Sequence, residues 1–170
     1  AFENVAFSAD LQTAYIVGKA YYKKRRFSVD ERKFQYELIK VSQSGNTTQS
    51  FVDPGKYPEA LYPVFVQNKL VCVGFYADRK DNRYNGIAYF DVDPNTLNIR
   101  TQKYNPFSQQ FMDDKFGREE DKDIKNLVFK GVEITEENEI FFNAEEYFVT
   151  TGLETTGAGQ RIRIERYGRK

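Results

Sequence analysis

One phrase occurs three times in this chain: a short apolar strand, a tight turn, a long aromatic strand, a charged loop and a further strand. Thr13-Ala-Tyr-Ile-Val-Gly-Lys-Ala-Tyr21 is answered by Lys69-Leu-Val-Cys-Val-Gly-Phe-Tyr76, and more loosely by Glu139-Ile-Phe-Phe-Asn-Ala-Glu-Glu-Tyr147. Gly18, Gly74 and Ala144 hold matching places, 56 and then 70 residues apart, and an insertion around 105–125 accounts for the longer step. Units of this size built from strands point to propeller blades or a related β array. The expected fold is therefore all-β, with about three antiparallel blades in an incomplete ring and one short helix in the inter-blade insertion.

The pattern places four strands in each of the first two units. Asn4–Phe7, Thr13–Tyr21, Phe34–Val41 and Thr47–Phe51 form the first, with Gly45 and Asn46 as a turn. Tyr62–Val66, Leu70–Tyr76, Gly86–Val92 and Asn98–Tyr104 form the second, turning at Asn68 and at Pro94-Asn95. The third offers Leu127–Ile134, Glu139–Phe148, a Gly-rich loop and Arg161–Tyr167, one strand short of the others. Residues 1–170 read as a single propeller-like domain or fragment, with blades over 1–57, 58–104 and 126–170. Three blades cannot close a ring, since propellers need at least four. Exposed blade edges then need protection, and a homodimer through them is one expectation.

Between the second and third units, Pro106-Phe-Ser-Gln-Gln-Phe-Met-Asp-Asp-Lys-Phe116 departs from the β pattern. Phe107, Phe111, Met112 and Phe116 recur at helical spacing behind Ser108, a natural N-cap, so a short helix packed on the blades is expected.

The turn Val5-Ala-Phe-Ser-Ala-Asp10 resembles the "FSPDG" turn of TolB-like and WD40-like propeller repeats, with its Pro and Gly missing. Gly74-Phe-Tyr-Ala-Asp78 followed by Gly86-Ile-Ala-Tyr-Phe90, and Ala144-Glu-Glu-Tyr-Phe-Val149, are similar to phrases in secreted Bacteroidetes propeller proteins of unknown function. That resemblance spans roughly Phe7 to Tyr167. It implies an exported protein of the periplasm, outer envelope or extracellular space, longer than this chain, and it implies no activity.

Charge and residue usage narrow the functional classes. Twenty-five basic and 25 acidic residues cancel, so no overall field points to nucleic acid or an anionic membrane. There is no apolar run of about 18 residues, hence no expected membrane span. Histidine is absent, which removes Ser-His-Asp and Cys-His triads, most zinc sites and the usual general base near neutral pH. The one cysteine, Cys72, alternates with core-type neighbours and reads as a small buried hydrophobe.

The richest segments connect the second and third strands of each unit: Tyr22-Lys-Lys-Arg-Arg26 to Lys33, Ala77 to Tyr84, and Val149 to Gln160. In a propeller these emerge on one face with the inter-blade connections. Tyr22, Arg25, Arg26, Tyr76, Arg79, Tyr84, Glu146 and Tyr147 are accordingly the candidate ligand- or partner-binding residues, suited to gripping an anion while stacking on its ring. The same charge also serves plain solubility.

Catalytic and metal-binding readings are weaker. Glu145 and Glu146 are neighbours on a strand and should point to opposite faces, so they cannot share a glycosidase site directly. Asp91-x-Asp93-x-Asn95 opens like a calcium loop, but Thr96 stands at the glycine position and Gln102 at the final glutamate position. A hairpin turn explains it better. The expected function is a non-catalytic binding scaffold of the bacterial cell envelope, with a protein or carbohydrate ligand and no catalytic residue, cofactor or metal. The alternatives are part of a carboxylate-based glycoside hydrolase or lyase, and a structural assembly domain.

Overall fold

A computed structural model describes residues 1–22, 33–78, 83–117, 124–137, 139–155 and 161–169, with side chains described up to Tyr147 except Phe142. Among the described residues the chain is all-β with one helix, and its sheets are antiparallel. The first sheet runs β1 (Phe2–Phe7), β2 (Thr13–Tyr21), β3 (Phe34–Ser42), β4 (Gly45–Phe51), each strand beside its predecessor. The second contains β5 (Tyr57–Val66), β6 (Lys69–Ala77), then β8 (Gly86–Val92) and β9 (Ile99–Pro106), with the two-residue β7 (Arg83–Tyr84) between β6 and β8. After α1 (Gln109–Phe116), β10 (Ile124–Lys125) pairs back onto β7. The third sheet is β11 (Leu127–Ile134), β12 (Ile140–Thr155) and β13 (Arg161–Arg169). No closed barrel or ring forms among the described residues.

The layers stack in chain order because their apolar residues alternate. Tyr15, Val17, Tyr36, Leu38 and Phe51 of the first sheet meet Leu61, Leu70, Cys72, Ala88, Phe90 and Val92 of the second in one buried cluster. Tyr15 stacks on Phe65 at 5.7 Å, and Phe51 tilts on Phe90 at 4.8 Å. On the opposite face of the second sheet, Val64, Val71 and Val73 form a second cluster with Tyr62, Tyr89, Val132 and Ile140, the last two from the third sheet. The β6 strand is consequently buried from Leu70 to Ala77, on both of its faces. Near-continuous apolar sequence is what such a strand requires.

Each of the three larger sheets carries a register shift in its first strand, and all three lie at matching places. The shift falls between Phe2 and Asn4 opposite Gly18, between Glu59 and Tyr62 opposite Gly74, and between Phe129 and Gly131 opposite Ala144. In the second sheet this bulge puts Ala60 in the left-handed region, at φ 49°. The Ala60 and Glu59 carbonyl oxygens then sit 2.7 Å from where a Cβ on Gly74 would stand, so only glycine fits. The N–H that the bulge frees is not wasted: Ala60 donates to Tyr36 Oη at 2.9 Å, a bond between the first two sheets.

Three details differ from the sequence reading. The strand β5 begins at Tyr57 in spite of Pro58 and Pro63, because it is an edge strand and needs no donor on its open side. Val149–Gln160 is not all loop: β12 continues to Thr155, held by β13 from Tyr147 onward. Arg83 and Tyr84, placed in a loop by the sequence, pair with Lys125 and Ile124. The helix forms as expected, with Ser108 Oγ accepting from Phe111 N at 3.1 Å and Gly117 ending it at φ 59°.

Gly74→Ala is expected to destabilise the protein by about 1–3 kcal/mol in urea unfolding through overpacking. Gly131→Ala, where an added Cβ meets nothing within 4 Å, should stay within about 0.5 kcal/mol of the parent. Tyr36→Phe should cost about 0.5–1.5 kcal/mol, the loss of one half-buried hydrogen bond.

Candidate functional site

Strand pairing places the facing ends of β2 and β3, of β6 and β8, and of the strands that flank each inter-sheet connection at one end of the stack. Tyr21 faces Phe34, Tyr57 faces Ala77, Gly86 faces both Tyr76 and Pro106, and Leu127 faces Glu146, all at that end. Two clefts open there, one at each junction between sheets.

The first is small. It measures about 80 Å³ and is bordered by Tyr22, Phe34, Val52, Asp53, Lys56 and Tyr57. Lys56 plugs its inner side, lying 5.0 Å from the Tyr76 ring centroid and 6.0 Å from that of Tyr104. The ammonium also donates to the Asp78 carboxylate, and that hydrogen bond raises the lysine pKa above its ordinary value. Burial pushes the Tyr76 hydroxyl pKa up. With a cation seated over two rings and neutralised by a carboxylate, this junction is already occupied by the chain's own groups.

The second cleft is larger, about 370 Å³, and lies between the second and third sheets beneath α1. Its walls are Phe75, Ile87, Phe107, Phe111, Ile124 and Leu127. Phe111 and Lys115, four residues apart, share one face of α1, and Phe107 stands just before its N-cap. The Phe107 ring is 5.5 Å from Phe111 and 6.5 Å from Phe75. The connection before the helix is fixed by Phe107 N donating to the Asn85 carbonyl at 2.9 Å. At the polar margin Lys115 Nζ donates to Glu146 Oε2 at 2.5 Å, and the glutamate side chain keeps only 12% of its exposure. Glu145 takes a different cation, Lys130, at 3.0 Å. The two adjacent carboxylates are thus held by separate lysines, as their positions on a strand require.

The sequence candidates distribute over both clefts. Tyr22 borders the first and donates its hydroxyl to Gln35 Oε1 at 3.1 Å. Tyr76 lies beneath that cleft, 3% exposed, as part of the core. Tyr84 contacts Phe75 at 5.5 Å beside the second cleft, and Glu146 forms its margin. Tyr147 follows on β12, its N–H donating to the Asn126 carbonyl at 3.2 Å. Arg25, Arg26 and Arg79 fall outside the described residues. Sequence reasoning missed Lys56, Asp78 and Lys115. The four-residue spacing of Phe107 and Phe111 carries on to Lys115, so that residue was findable. Lys56 was not, because its partners arrive from two other strands.

The Asp91–Asn95 segment closes β8 and turns after Asp93. Asp93 Oδ1 accepts from Asn95 N at 2.8 Å and Thr96 N at 2.9 Å, and Arg100 Nη2 donates to Oδ2 at 2.5 Å. These bonds hold the carboxyl at a pKa of about 2, led by the backbone donor of Thr96. Among the described residues no cluster of metal-ligating side chains forms. Burial pushes the Cys72 thiol up in pKa, away from reactivity. A carboxyl whose folded pKa is depressed adds stability that is present above about pH 4 and lost as pH falls through its folded value. NMR titration of the Asp93 carboxyl carbon should therefore show a midpoint of about 2. In Asp93→Asn, acid unfolding should lose the corresponding component. Comparison with protein-family models, with curated proteins and with solved structures finds no match to this chain.

Proposed function

We propose that this chain is a propeller-type binding scaffold of the bacterial cell envelope, and that its ligand enters the cleft between the second and third sheets. The observation that carries the reading is the cleft itself: seven apolar side chains around about 370 Å³, with Glu145 and the Lys115–Glu146 ion pair at the margin. A concave apolar surface with few polar groups is the usual form of a binding site. The propeller reading draws support from antiparallel sheets stacked face to face in chain order, and from the matching bulges opposite Gly18, Gly74 and Ala144.

The lining favours a protein partner that inserts an aromatic or branched apolar side chain over a carbohydrate, whose hydroxyls would find only Glu145 and the Lys115–Glu146 pair. Arg25, Arg26 and Arg79, candidates from the sequence, would orient an acidic flank of the partner through their charge. No arrangement of Glu145 and Glu146 on one substrate favours the hydrolase reading, since each carboxylate has its own lysine.

Peptide and carbohydrate arrays probed with the intact protein test this. Binders carrying an aromatic anchor are expected, and Phe111→Ser should weaken them by at least about tenfold, the loss typical of a central contact. Because Phe111 is 45% exposed, the melting temperature should barely move. Replacing Arg25, Arg26 and Arg79 together by Ser should slow association and flatten its salt dependence. Binders that keep full affinity in the Phe111 variant would overturn the cleft as the site.

A further inference from the structure

Both internal junctions seat a lysine of the preceding connection at the same place on the strand that follows. Gly74 and Ala144 hold matching places beside the bulges of β5 and β11, so Tyr76 and Glu146, each two residues further on, match as well. Both turn toward the preceding sheet. Tyr76 enters the cluster shared with the first sheet, and Glu146 borders the cleft against the second. Lys56 Nζ lies over the ring of Tyr76, and Lys115 Nζ donates to Glu146 Oε2. At each junction a cation from the connection occupies this position.

The two seats hold their cations unequally. Lys56 has the rings of Tyr76 and Tyr104 and the Asp78 carboxylate around it, beside a space of only about 80 Å³. Among the described residues Lys115 has one carboxylate and the Phe116 ring of its own helix, 5.5 Å from Nζ. Beside it lie about 370 Å³ of open, mostly apolar cleft. The pair is also asymmetric in what it can give up. Glu146 is fixed on β12 with 12% of its side chain exposed, whereas Lys115 ends a flexible stem on a helix without a buried residue and is 28% exposed. A ligand cation that takes over Glu146 releases Lys115 to water at little cost, because its stem reaches the surface. A ligand anion that takes over Lys115 strands a mostly buried glutamate and sets a second negative charge beside it. Glu145 does not alter this choice, since it keeps Lys130 at 3.0 Å.

We infer that the seat on Glu146 is exchangeable, and that the cleft takes a partner segment in which an aromatic or branched apolar side chain stands next to a primary ammonium, as a lysine or a chain N-terminus provides. The apolar part fills the space walled by Phe75, Ile87, Phe107 and Phe111, and the ammonium replaces Lys115 on Glu146. The inference rests on the cleft being the binding site proposed above, and adds the sign of charge that the site selects.

Three probes of one shape test it: 4-phenylbutylamine, 4-phenylbutan-1-ol and 4-phenylbutanoate, titrated into the intact protein and followed by NMR at the Ile87, Ile124 and Leu127 methyl groups. The amine should bind about tenfold more tightly than the carboxylate, with the alcohol between them. Glu146→Gln should bring the amine down to the level of the alcohol. Lys115→Met keeps the stem and removes the competing cation, so it should tighten the amine by about threefold and leave the alcohol unchanged. Equal affinities for the three probes would sink the exchange and leave the cleft standing as a site. A preference for the carboxylate that disappears in Lys115→Met would also sink it, by making the lysine the grip. Methyl signals that move with no probe would remove the cleft reading and this inference together. Should Glu146→Gln fail to fold, the ranking of the probes on the parent and on Lys115→Met decides.

Discussion

The arrangement depends on β6 having no solvent face. A strand of Leu, Val, Cys, Phe and Tyr from Leu70 to Ala77 is stable only if something apolar lies on each side of it. The first sheet supplies one cover and β11 with β12 the other. Once the second sheet is the middle layer, the order of the stack and the positions of both clefts follow.

The bulge opposite Gly74 makes the tight layer possible. It lets β5 lean over β6 with backbone where a side chain would otherwise stand, and it turns a donor out towards the first sheet, where Tyr36 accepts it. Packing between sheets and pairing within a sheet are thereby coupled at one residue pair. The same displacement beside Gly18 and Ala144 gives the three sheets a common local geometry, although the third tolerates an alanine.

The two clefts show how one junction can be filled and another left open. At the first, the connection from Phe51 to Tyr57 is short, and its Lys56 reaches back over Tyr76 and Tyr104. At the second, the connection is long enough to build a helix. Its Phe107 and Phe111 line the space and leave it open, and Lys115 is drawn aside by Glu146. The length of the connection thus decides whether a junction is sealed or left open.

Much of this was legible in the residues. Strand alternation placed Thr13–Tyr21, Gly86–Val92 and Leu127–Ile134 at the bounds observed, and Ser108 with the phenylalanine spacing marked the helix. These are local properties, written by side-chain period and by capping chemistry. The candidate tyrosines were harder: Tyr22 and Tyr76 look alike beside charged loops, yet one borders a cleft and the other is core, because burial depends on which sheet arrives above. The pairing of β7 with β10, the lysine over two rings and the cleft beneath α1 join segments 20 to 70 residues apart. By itself the sequence determined what each segment would become. Only the tertiary structure decided which faces meet and which are left over, because contact between distant segments is set by the geometry of stacking and not by the period of any one strand.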